Sequence, residues 1–171
     1  MSRCTGRVLC KAHRRVSRRK RGGNRRAKAI RWLARKYQKV RRQRRDHQHK
    51  TALALVREFD AIFYENLGVA NLMRNAYLAK SISDAAWGRF CTVLASKAAC
   101  AGKRVIHVSP AYTSQQCSNP DCSQLVPKGL SVRWHRCPHC DTVLDRDENA
   151  ALNILRKGQY LLSETTRTAY R

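Results

Sequence analysis

Two pairs of cysteines near the end of the chain constrain its fold more than any other feature. Cys117 and Cys122 form the first pair, and Cys137 and Cys140 form the second after fourteen intervening residues. Each pair predicts a tight knuckle, and a hairpin between the pairs would bring four thiolates together around one ion. Four sulfur ligands complete a tetrahedron and leave no open position. The spacing therefore predicts a structural Zn²⁺ site.

The ligand set leaves one alternative open. The first pair is separated by four residues instead of the usual two, which makes Cys122 the least regular ligand. His135 and His139 are nearby nitrogen donors that could replace it.

The N-terminus lacks the apolar stretch of a secretory signal, so we expect an intracellular, cytoplasmic and nucleoid-associated protein with reduced thiols. Reduced thiols favour metal binding over disulfide bonds.

Charge is distributed unevenly along the chain. The net charge is +25, from 36 Lys and Arg residues against 11 acids. Residues 1–50 hold 21 of these cations and one acid, Asp46, so the first third carries +20 and the remainder +5. A polycation attracts phosphate backbones and releases their counterions. No apolar run approaches the ~20 residues that span a bilayer, so we expect nucleic acid and no membrane.

The basic third is predicted to contain an arm followed by a helix. Residues 1–23 show no periodicity, end at Gly22 and Gly23, and are interpreted as a flexible arm. A helix is predicted from Asn24 towards Asp60. Its packed stripe would be Ile30, Leu33, Ala34, Tyr37 and Val40. The candidates for phosphate contact are Arg18, Arg19, Lys20, Arg21, Arg25, Arg26, Arg31, Arg35, Arg41 and Arg42. The alternative is a solvated, charged helix without a nucleic-acid partner.

The middle of the chain predicts a βαβ unit. Residues 61–67 form a short apolar run that carries Glu65 near its end, as in a buried parallel strand. An amphipathic helix over 81–101 and a strand over 104–109 follow. The inward face of this helix would be Trp87, Phe90, Cys91, Leu94 and Ala98. Within the cysteine segment, the alternation of Leu130, Val132 and Trp134 predicts a further short strand.

An acidic turn after the cysteines predicts the start of the last helix. This helix would run from Asp147 to Lys157 and end at Gly158, with a buried face of Ala151, Ile154 and Leu155. Ligand sites of open α/β sheets lie at the carboxyl ends of strands, so Glu65 and Asp147 could share Mg²⁺ or Mn²⁺. Asp145 is interpreted as the N-cap, or as the ligand in place of Asp147. The alternative for Asp147 and Glu148 is compensation of the helix dipole in the first turn.

These motifs together resemble a known family. The segments that carry the resemblance are Thr113–Ser118, Cys137–Cys140, Asp145–Leu155 and Tyr64–Leu67. They look like the nuclease motifs of the TnpB/OrfB proteins of prokaryotic insertion sequences, which are similar to type V CRISPR effectors. The resemblance implies a mixed α/β fold, namely a RuvC-like (RNase H-type) domain with an inserted Cys4 zinc ribbon. It also implies RNA-guided DNA cleavage by two metal ions, with DNA and guide RNA as partners.

The resemblance makes Glu65 the second catalytic carboxylate and Asp147 the third. The family carries its first catalytic Asp upstream of the basic segment, where this chain has no acid before Asp46. We therefore expect a truncated C-terminal portion that is inactive alone. The alternative is a non-enzymatic zinc-ribbon protein that binds nucleic acid. The predicted divisions are an arm (1–23), a partial nuclease domain (24–112), a zinc ribbon (113–143), a closing helix (144–158) and a tail (159–171).

Overall fold

A computed structural model describes residues 3–68, 74, 86–129 and 131–169 of the chain. The chain divides into two compact units. The helical unit comprises Met1–Leu55 and Leu72–Lys97, and the sheet unit comprises Val56–Asn71 and Ala98–Arg171. Among the helices within the described ranges, none combines the length and the apolarity needed to cross a bilayer. Each unit is described by itself.

The helical unit begins with a helix where the sequence predicted an irregular arm. Helix α1 spans Arg3–Ser17 and helix α2 spans Asn24–Glu58. The apolar residues Leu9, Ala12 and Val16 recur at helical spacing in α1, and Ala12 is fully buried. Three small apolar positions among many cations are a weak periodic signal. The predicted flexible arm of residues 1–23 therefore contains a helix over residues 3–17.

Helix α2 confirms the predicted long helix and part of its predicted packed stripe. Ala29 and Val40 are buried, whereas Ile30 and Tyr37 are each 47% exposed. Leu33 is half-buried. Leu33 and Val40 of the predicted stripe therefore lie on the buried line with Ala29, whereas Ile30 and Tyr37 do not. Apolar residues occupy several adjacent lines of α2, so periodicity alone could not select the line that packs.

Helix α3 spans Trp87–Cys100 and confirms the predicted helix. Cys91, Leu94 and Ala98 are buried as expected. The predicted start near residue 81 lies outside the described residues. The helix ends at Cys100 and is followed by Gly102, whose φ of 67° is left-handed and suits glycine. The backbone N–H of Lys103 then donates to the Ala98 carbonyl over 2.9 Å.

The sheet unit contains two separate two-stranded sheets. Strands β1 (Ala61–Glu65) and β2 (Arg104–Val108) pair in parallel, with Glu65 opposite Val108. This pair confirms the predicted strand–helix–strand order. Strands β3 (Trp134–Arg136) and β4 (Val143–Asp145) pair antiparallel.

The short strand predicted inside the cysteine segment lies later than expected. Leu130 is outside the described residues, and Val132 precedes strand β3, which starts at Trp134. Strand β3 leads directly into Cys137. Pairing with β4 thus determines the position of the strand, and the local alternation does not.

Helix α4 spans Arg146–Ala169 and packs on both sheets. The predicted helix end at Gly158 was wrong, as was the irregular segment predicted after it. A Cβ at Gly158 would lie 2.1 Å from Cδ1 of Phe63 in β1. The glycine therefore allows the helix to approach the strand closely.

The buried face of α4 also differs from the prediction. Ala151 is exposed, Leu155 is 42% exposed and Ile154 is half-buried. Asn149 and Asn153 are buried instead, at 0% and 2% exposure. A hydrophobic pattern could not identify this face, because its inward residues are amides.

Candidate metal centre and carboxylate site

The four cysteines meet at one point in the sheet unit. Their Sγ atoms all lie within 4.8 Å of one another. The Cys117–Cys140 and Cys122–Cys137 Sγ pairs are each 3.6 Å apart. A tetrahedron with Zn–S bonds of ~2.3 Å has S···S edges of about 3.8 Å. The cluster could hold a metal ion, and its dimensions are compatible with zinc.

Backbone hydrogen bonds close a loop around each cysteine pair. The Cys117 N–H donates to the Gln124 carbonyl over 2.8 Å, and the Cys137 N–H donates to the Thr142 carbonyl over 3.0 Å. The wider first pair is accommodated by an Asx turn, in which Asn119 Oδ1 accepts from the Asp121 N–H over 3.1 Å. The irregular spacing of Cys122 therefore does not remove it from the cluster.

The thiols differ in how readily they lose their protons. Burial raises the pKa of Cys117. A hydrogen bond from the Gln124 N–H lowers the pKa of Cys122. Desolvation and the neighbouring Cys140 and Cys137 thiols have the larger combined effect and raise this pKa to about 12. Hydrogen bonds from the Thr142 hydroxyl and N–H lower the pKa of Cys140 to about 6. The Thr142 contacts therefore favour the thiolate form of Cys140, which is the form that binds a metal ion.

The two nearby histidines do not join the cysteine cluster. Among the described residues, the four cysteines form the one group of three or more His, Cys, Asp or Glu side chains close enough to share an ion. His135 is fully buried, and its Nδ1 contacts Nζ of Lys128. Burial and the Lys128 charge lower the pKa of His135. A neutral imidazole with Nδ1 as acceptor fits both observations, so the histidine alternative is not supported.

Glu65 lies at the carboxyl end of β1, as predicted, and its side chain has a specific partner. The Thr113 hydroxyl donates to Glu65 Oε1 over 2.5 Å and lies 3.1 Å from the Pro110 carbonyl oxygen. Thr113 is 3% exposed and Glu65 is half-buried. The carboxylate is therefore held at the start of the segment that leads from β2 to the cysteines.

The acidic turn places its two aspartates in different environments. Asp145 Oδ1 accepts from the Asp147 N–H over 2.8 Å, which is the contact of an N-cap. The Asp147 carboxylate is 76% exposed and pairs with Arg146 Nε at 3.3 Å. The capping contact agrees with the N-cap interpretation of Asp145, and it leaves Asp147 accessible.

Helix geometry relates Asp147 to the sheet. Asp147 precedes Gly158 by three turns, so the two positions lie within about 20° of the same helix face and ~16 Å apart along the axis. Gly158 contacts Phe63, and Glu65 is on the same side of β1, ~7 Å along the strand. Asn153 in α4 binds the Thr113 carbonyl, next to Glu65. The carboxyl end of β1 therefore points towards the N-terminal part of α4.

Sequence reasoning missed the polar residues that connect these parts. Asn149, Asn153 and Arg156 lie on one face of α4 and bind backbone groups between residues 113 and 118. Thr113 completes the connection to Glu65. The available signal was the helical spacing of two amides and an arginine directly after the acidic turn.

Four of the ten predicted phosphate contacts, Arg19, Arg25, Arg31 and Arg35, line a groove in the helical unit. The groove has a volume of about 670 Å³ and is lined by Arg15, Arg19, Arg25, Lys28, Ala29, Arg31, Trp32 and Arg35. Arg15 and Lys36 lie over the Trp32 ring, at 5.4 and 5.2 Å from its centre. Arg26 instead donates to the Val16 and Arg19 carbonyls, so it has an internal role. The remaining candidates Arg18, Lys20, Arg21, Arg41 and Arg42 are exposed.

Two family models match the chain in consecutive segments. The model described as "Probable transposase" matches residues 5–76, and the model described as "Cas12f1-like, TNB domain" matches residues 87–154. The second match contains the cysteine cluster, Asp147 and Asn149.

Curated relatives extend the similarity over most of the chain. Two of them carry the name "Putative RNA-guided DNA endonuclease", one from Streptomyces pristinaespiralis and one, with the added name InsQ, from Escherichia coli. The first is 39% identical over 151 residues, which is 88% of this chain and 37% of the relative. The second is 30% identical over 171 residues, which is 91% of this chain and 42% of the relative. The chain thus spans about two fifths of the length of these relatives.

The fold has a counterpart in a solved structure. A chain of the complex titled "Cryo-EM structure of the Cas12f1-sgRNA-target DNA complex" matches with a TM-score of 0.58 at 20% identity, over 89% of this chain and 41% of that chain. This match supports the mixed α/β fold. The two family models and the curated relatives show that the chain belongs to the TnpB/OrfB family.

Proposed function

We propose that this chain is the C-terminal nuclease portion of a transposon-encoded RNA-guided DNA endonuclease. Its sheet unit would be part of a RuvC-like domain with an inserted zinc ribbon over residues 113–143. The observation that carries the proposal is the arrangement around α4. This helix carries Asp147 in its first turn, contacts the strand that ends in Glu65, and binds the backbone on both sides of Cys117.

Glu65 and Asp147 would act as metal ligands in this reaction. When bound, Mg²⁺ or Mn²⁺ ions supply Lewis-acid activation of the phosphodiester and of the attacking water. Glu65 would contribute an oxygen held by the Thr113 hydroxyl. Asp147 would contribute an exposed carboxylate that can exchange its surface contact with Arg146 for a metal. The thiolate site would hold Zn²⁺ in a structural role.

Nucleic-acid binding is assigned to the helical unit. The cations lining its groove repel one another, and phosphate groups would relieve that repulsion. Trp32 adds an aromatic surface among these cations. DNA and guide RNA are the proposed partners, because the relatives are named as RNA-guided DNA endonucleases.

We expect this chain alone not to cleave DNA. A two-metal site needs several converging carboxylates, and the proposed site provides Glu65 and Asp147. Residues 1–50 contain only Asp46, which pairs with Lys50 on α2. The family resemblance places the remaining catalytic carboxylate before the basic segment, where this sequence has no acid.

A complementation assay tests this function. The part of the Streptomyces relative that precedes the matched region is fused to this chain, and cleavage of guided DNA is measured with Mg²⁺. We expect cleavage by the fusion, loss of cleavage with Glu65→Gln or Asp147→Asn, and retention with the neighbouring Glu148→Gln. Cleavage by the chain alone that Glu65→Ala abolishes would overturn the expected inactivity.

The second candidate function is a non-enzymatic zinc-ribbon protein that binds nucleic acid. The exposure of Asp147 and its ion pair with Arg146 favour this reading, because they match dipole compensation at a helix start. Electron paramagnetic resonance of bound Mn²⁺ distinguishes the two. A Mn²⁺ signal from the fusion that disappears with Glu65→Gln supports the nuclease.

A further inference from the structure

Three polar side chains are almost completely buried beside the cysteine cluster. Asn149, Asn153 and Thr113 are 0%, 2% and 3% exposed. A buried amide or hydroxyl destabilises a fold unless its hydrogen bonds are made. Each of these three side chains has partners, and the partners form a continuous path from Cys117 to Glu65.

The path begins at Asn149, which holds both neighbours of Cys117. Its Oδ1 accepts from the Ser118 N–H over 3.0 Å, and its Nδ2 donates to the Gln116 carbonyl over 2.8 Å. One amide side chain thus binds the backbone before and after a cysteine of the cluster. Any displacement of Cys117 would break at least one of these bonds.

Asn153 extends the path by one helical turn. Its Nδ2 donates to the Gln116 carbonyl over 2.7 Å and to the Thr113 carbonyl over 2.9 Å. The Gln116 carbonyl therefore accepts from both asparagines, and both Nδ2 hydrogens of Asn153 are used. An aspartate cannot replace this pattern because its carboxylate lacks the donors, and a shorter side chain such as alanine lacks the reach.

Thr113 completes the path at the carboxylate. Its hydroxyl has one hydrogen but faces two acceptors, Glu65 Oε1 at 2.5 Å and the Pro110 carbonyl at 3.1 Å. The shorter contact is with Glu65, so the carboxylate is the main acceptor. The position of this hydroxyl depends on the Thr113 backbone, which Asn153 holds.

We infer that metal binding at the four cysteines positions the Glu65 carboxylate through Asn149, Asn153 and Thr113. These three are positioning residues, because they contact neither the metal nor a substrate. Metal binding fixes the position of Cys117. Through their hydrogen bonds, Asn149 and Asn153 then fix the backbone of Thr113. The Thr113 hydroxyl in turn orients the Glu65 carboxylate. The inference rests on the proposed role of Glu65 and deepens it, since it makes the cysteine site part of the carboxylate site.

Coupling of this kind is reciprocal, so it can be measured at both ends. At the metal end, the Zn²⁺ affinity of the full chain is measured by competition with a chelator. We expect Asn149→Ala and Asn153→Ala to weaken it about 10–100-fold, the range for residues that orient metal ligands. Gln159→Ala, at an exposed position of the same helix, is the matched control and should leave it unchanged.

At the carboxylate end, the full chain is labelled with ¹³C at the Glu side-chain carboxyl carbons. Glu65→Gln assigns the Glu65 resonance, and Glu58 and Glu164 serve as internal references. We expect Zn²⁺ to shift the Glu65 resonance in the unsubstituted chain and in Thr113→Ser, which keeps the hydroxyl. Thr113→Val keeps the side-chain shape but has no hydroxyl, and should lose the shift. Thr92→Val controls for loss of a threonine elsewhere.

The inference can be contradicted separately at the cysteine cluster and at Glu65. Asparagine variants that bind Zn²⁺ as tightly as the unsubstituted chain would overturn the inference. A Zn²⁺-dependent Glu65 shift that survives Thr113→Val would also overturn it. Since neither measurement uses DNA, a positive result with an inactive fusion enzyme would contradict the proposed function alone. If an asparagine variant does not fold, the Thr113 pair still decides.

Discussion

The two units of the chain use polar residues in opposite ways. In the helical unit the buried residues include the small side chains Ala12, Ala29 and Ala52, and cations cover the surface. In the sheet unit the most deeply buried side chains include His135, Asn149 and Cys117. One unit therefore exposes its polar groups at the surface, while the other uses them to hold its own backbone.

This difference predicts where substitutions act. Exposed cations of the helical unit have little to do with packing, so their replacement should change binding more than stability. In the sheet unit, replacement of the buried amides or of the glycine at the close helix–strand contact should change stability more than binding. The comparison would be contradicted if replacing exposed cations of the helical unit mainly changed stability. It would also be contradicted if replacing buried polar residues of the sheet unit mainly changed binding.

The largest expected effect is on nucleic-acid binding by the helical unit. We expect the triple variant Arg19→Gln, Arg31→Gln and Arg35→Gln to lower the slope of log affinity against log salt by about 2–3, because each lost phosphate contact removes about 0.7–0.9. Titration of a fluorescent single-stranded DNA and of a duplex at several salt concentrations measures this slope.

A matched variant in the sheet unit controls for net charge. Arg104, Arg133 and Arg136 are all exposed, and their replacement by Gln removes the same three charges. This variant should change the slope by less than about 1, because only local phosphate contacts release counterions. Equal slopes for the two triple variants would show that the groove is not the binding surface.

The next effect concerns stability of the sheet unit. Gly→Ala within a helix usually stabilises by ~0.5–1 kcal/mol, but Gly158→Ala would place a methyl group against Phe63. We expect a destabilisation of about 1–3 kcal/mol, the usual cost of overpacking. Urea unfolding with amide exchange of β1 measures it.

The matched control is Gly6→Ala in α1, where a new Cβ has no neighbour within 4 Å. This substitution should be neutral or slightly stabilising. Stabilisation by Gly158→Ala would mean that helix and strand separate easily, and the proposed proximity of Glu65 and α4 would lose its support.

Much of the fold could be predicted where local pattern and final packing agree. The cysteine spacing identified all four members of the cluster, and the apolar run before Glu65 identified β1. Helix α2 and the buried face of α3 followed from periodicity. These features depend on contacts within a short stretch of chain or on one dominant residue type.

Prediction failed where a distant partner decides the structure. Gly158 was interpreted as a helix end, because the approach of Phe63 from another element is not visible locally. Asn149 and Asn153 were overlooked because amides are ordinarily exposed. Their burial requires carbonyl and N–H groups from residues 113–118, which only the tertiary structure brings to α4. The family resemblance suggested Glu65 and Asp147, but it did not indicate the Thr113 contact.

The smallest expected effect comes from the exposed ion pair beside β1 and β2. Lys103 Nζ contacts Asp60 Oδ1, where the Asp60 carboxylate is 94% exposed. The hydrogen bond and the charge of Lys103 lower the pKa of Asp60 from its ordinary value of 3.8. A lowered carboxylate pKa stabilises the fold above the unfolded-state pKa, and this stabilisation is lost as pH falls through the folded-state pKa.

Asp60→Asn should therefore slightly lower the free energy of unfolding of the sheet unit at pH 7. At acidic pH below 3.8, the difference between this variant and the unsubstituted chain should disappear. Because the pair is exposed, the effect should be small and should shrink at high salt. Urea unfolding at several pH values measures it, with Lys103→Gln and the double variant completing a cycle. Additive effects of the two single variants would mean that the contact contributes nothing. The sheet unit would then owe its stability to its buried polar network and close packing alone.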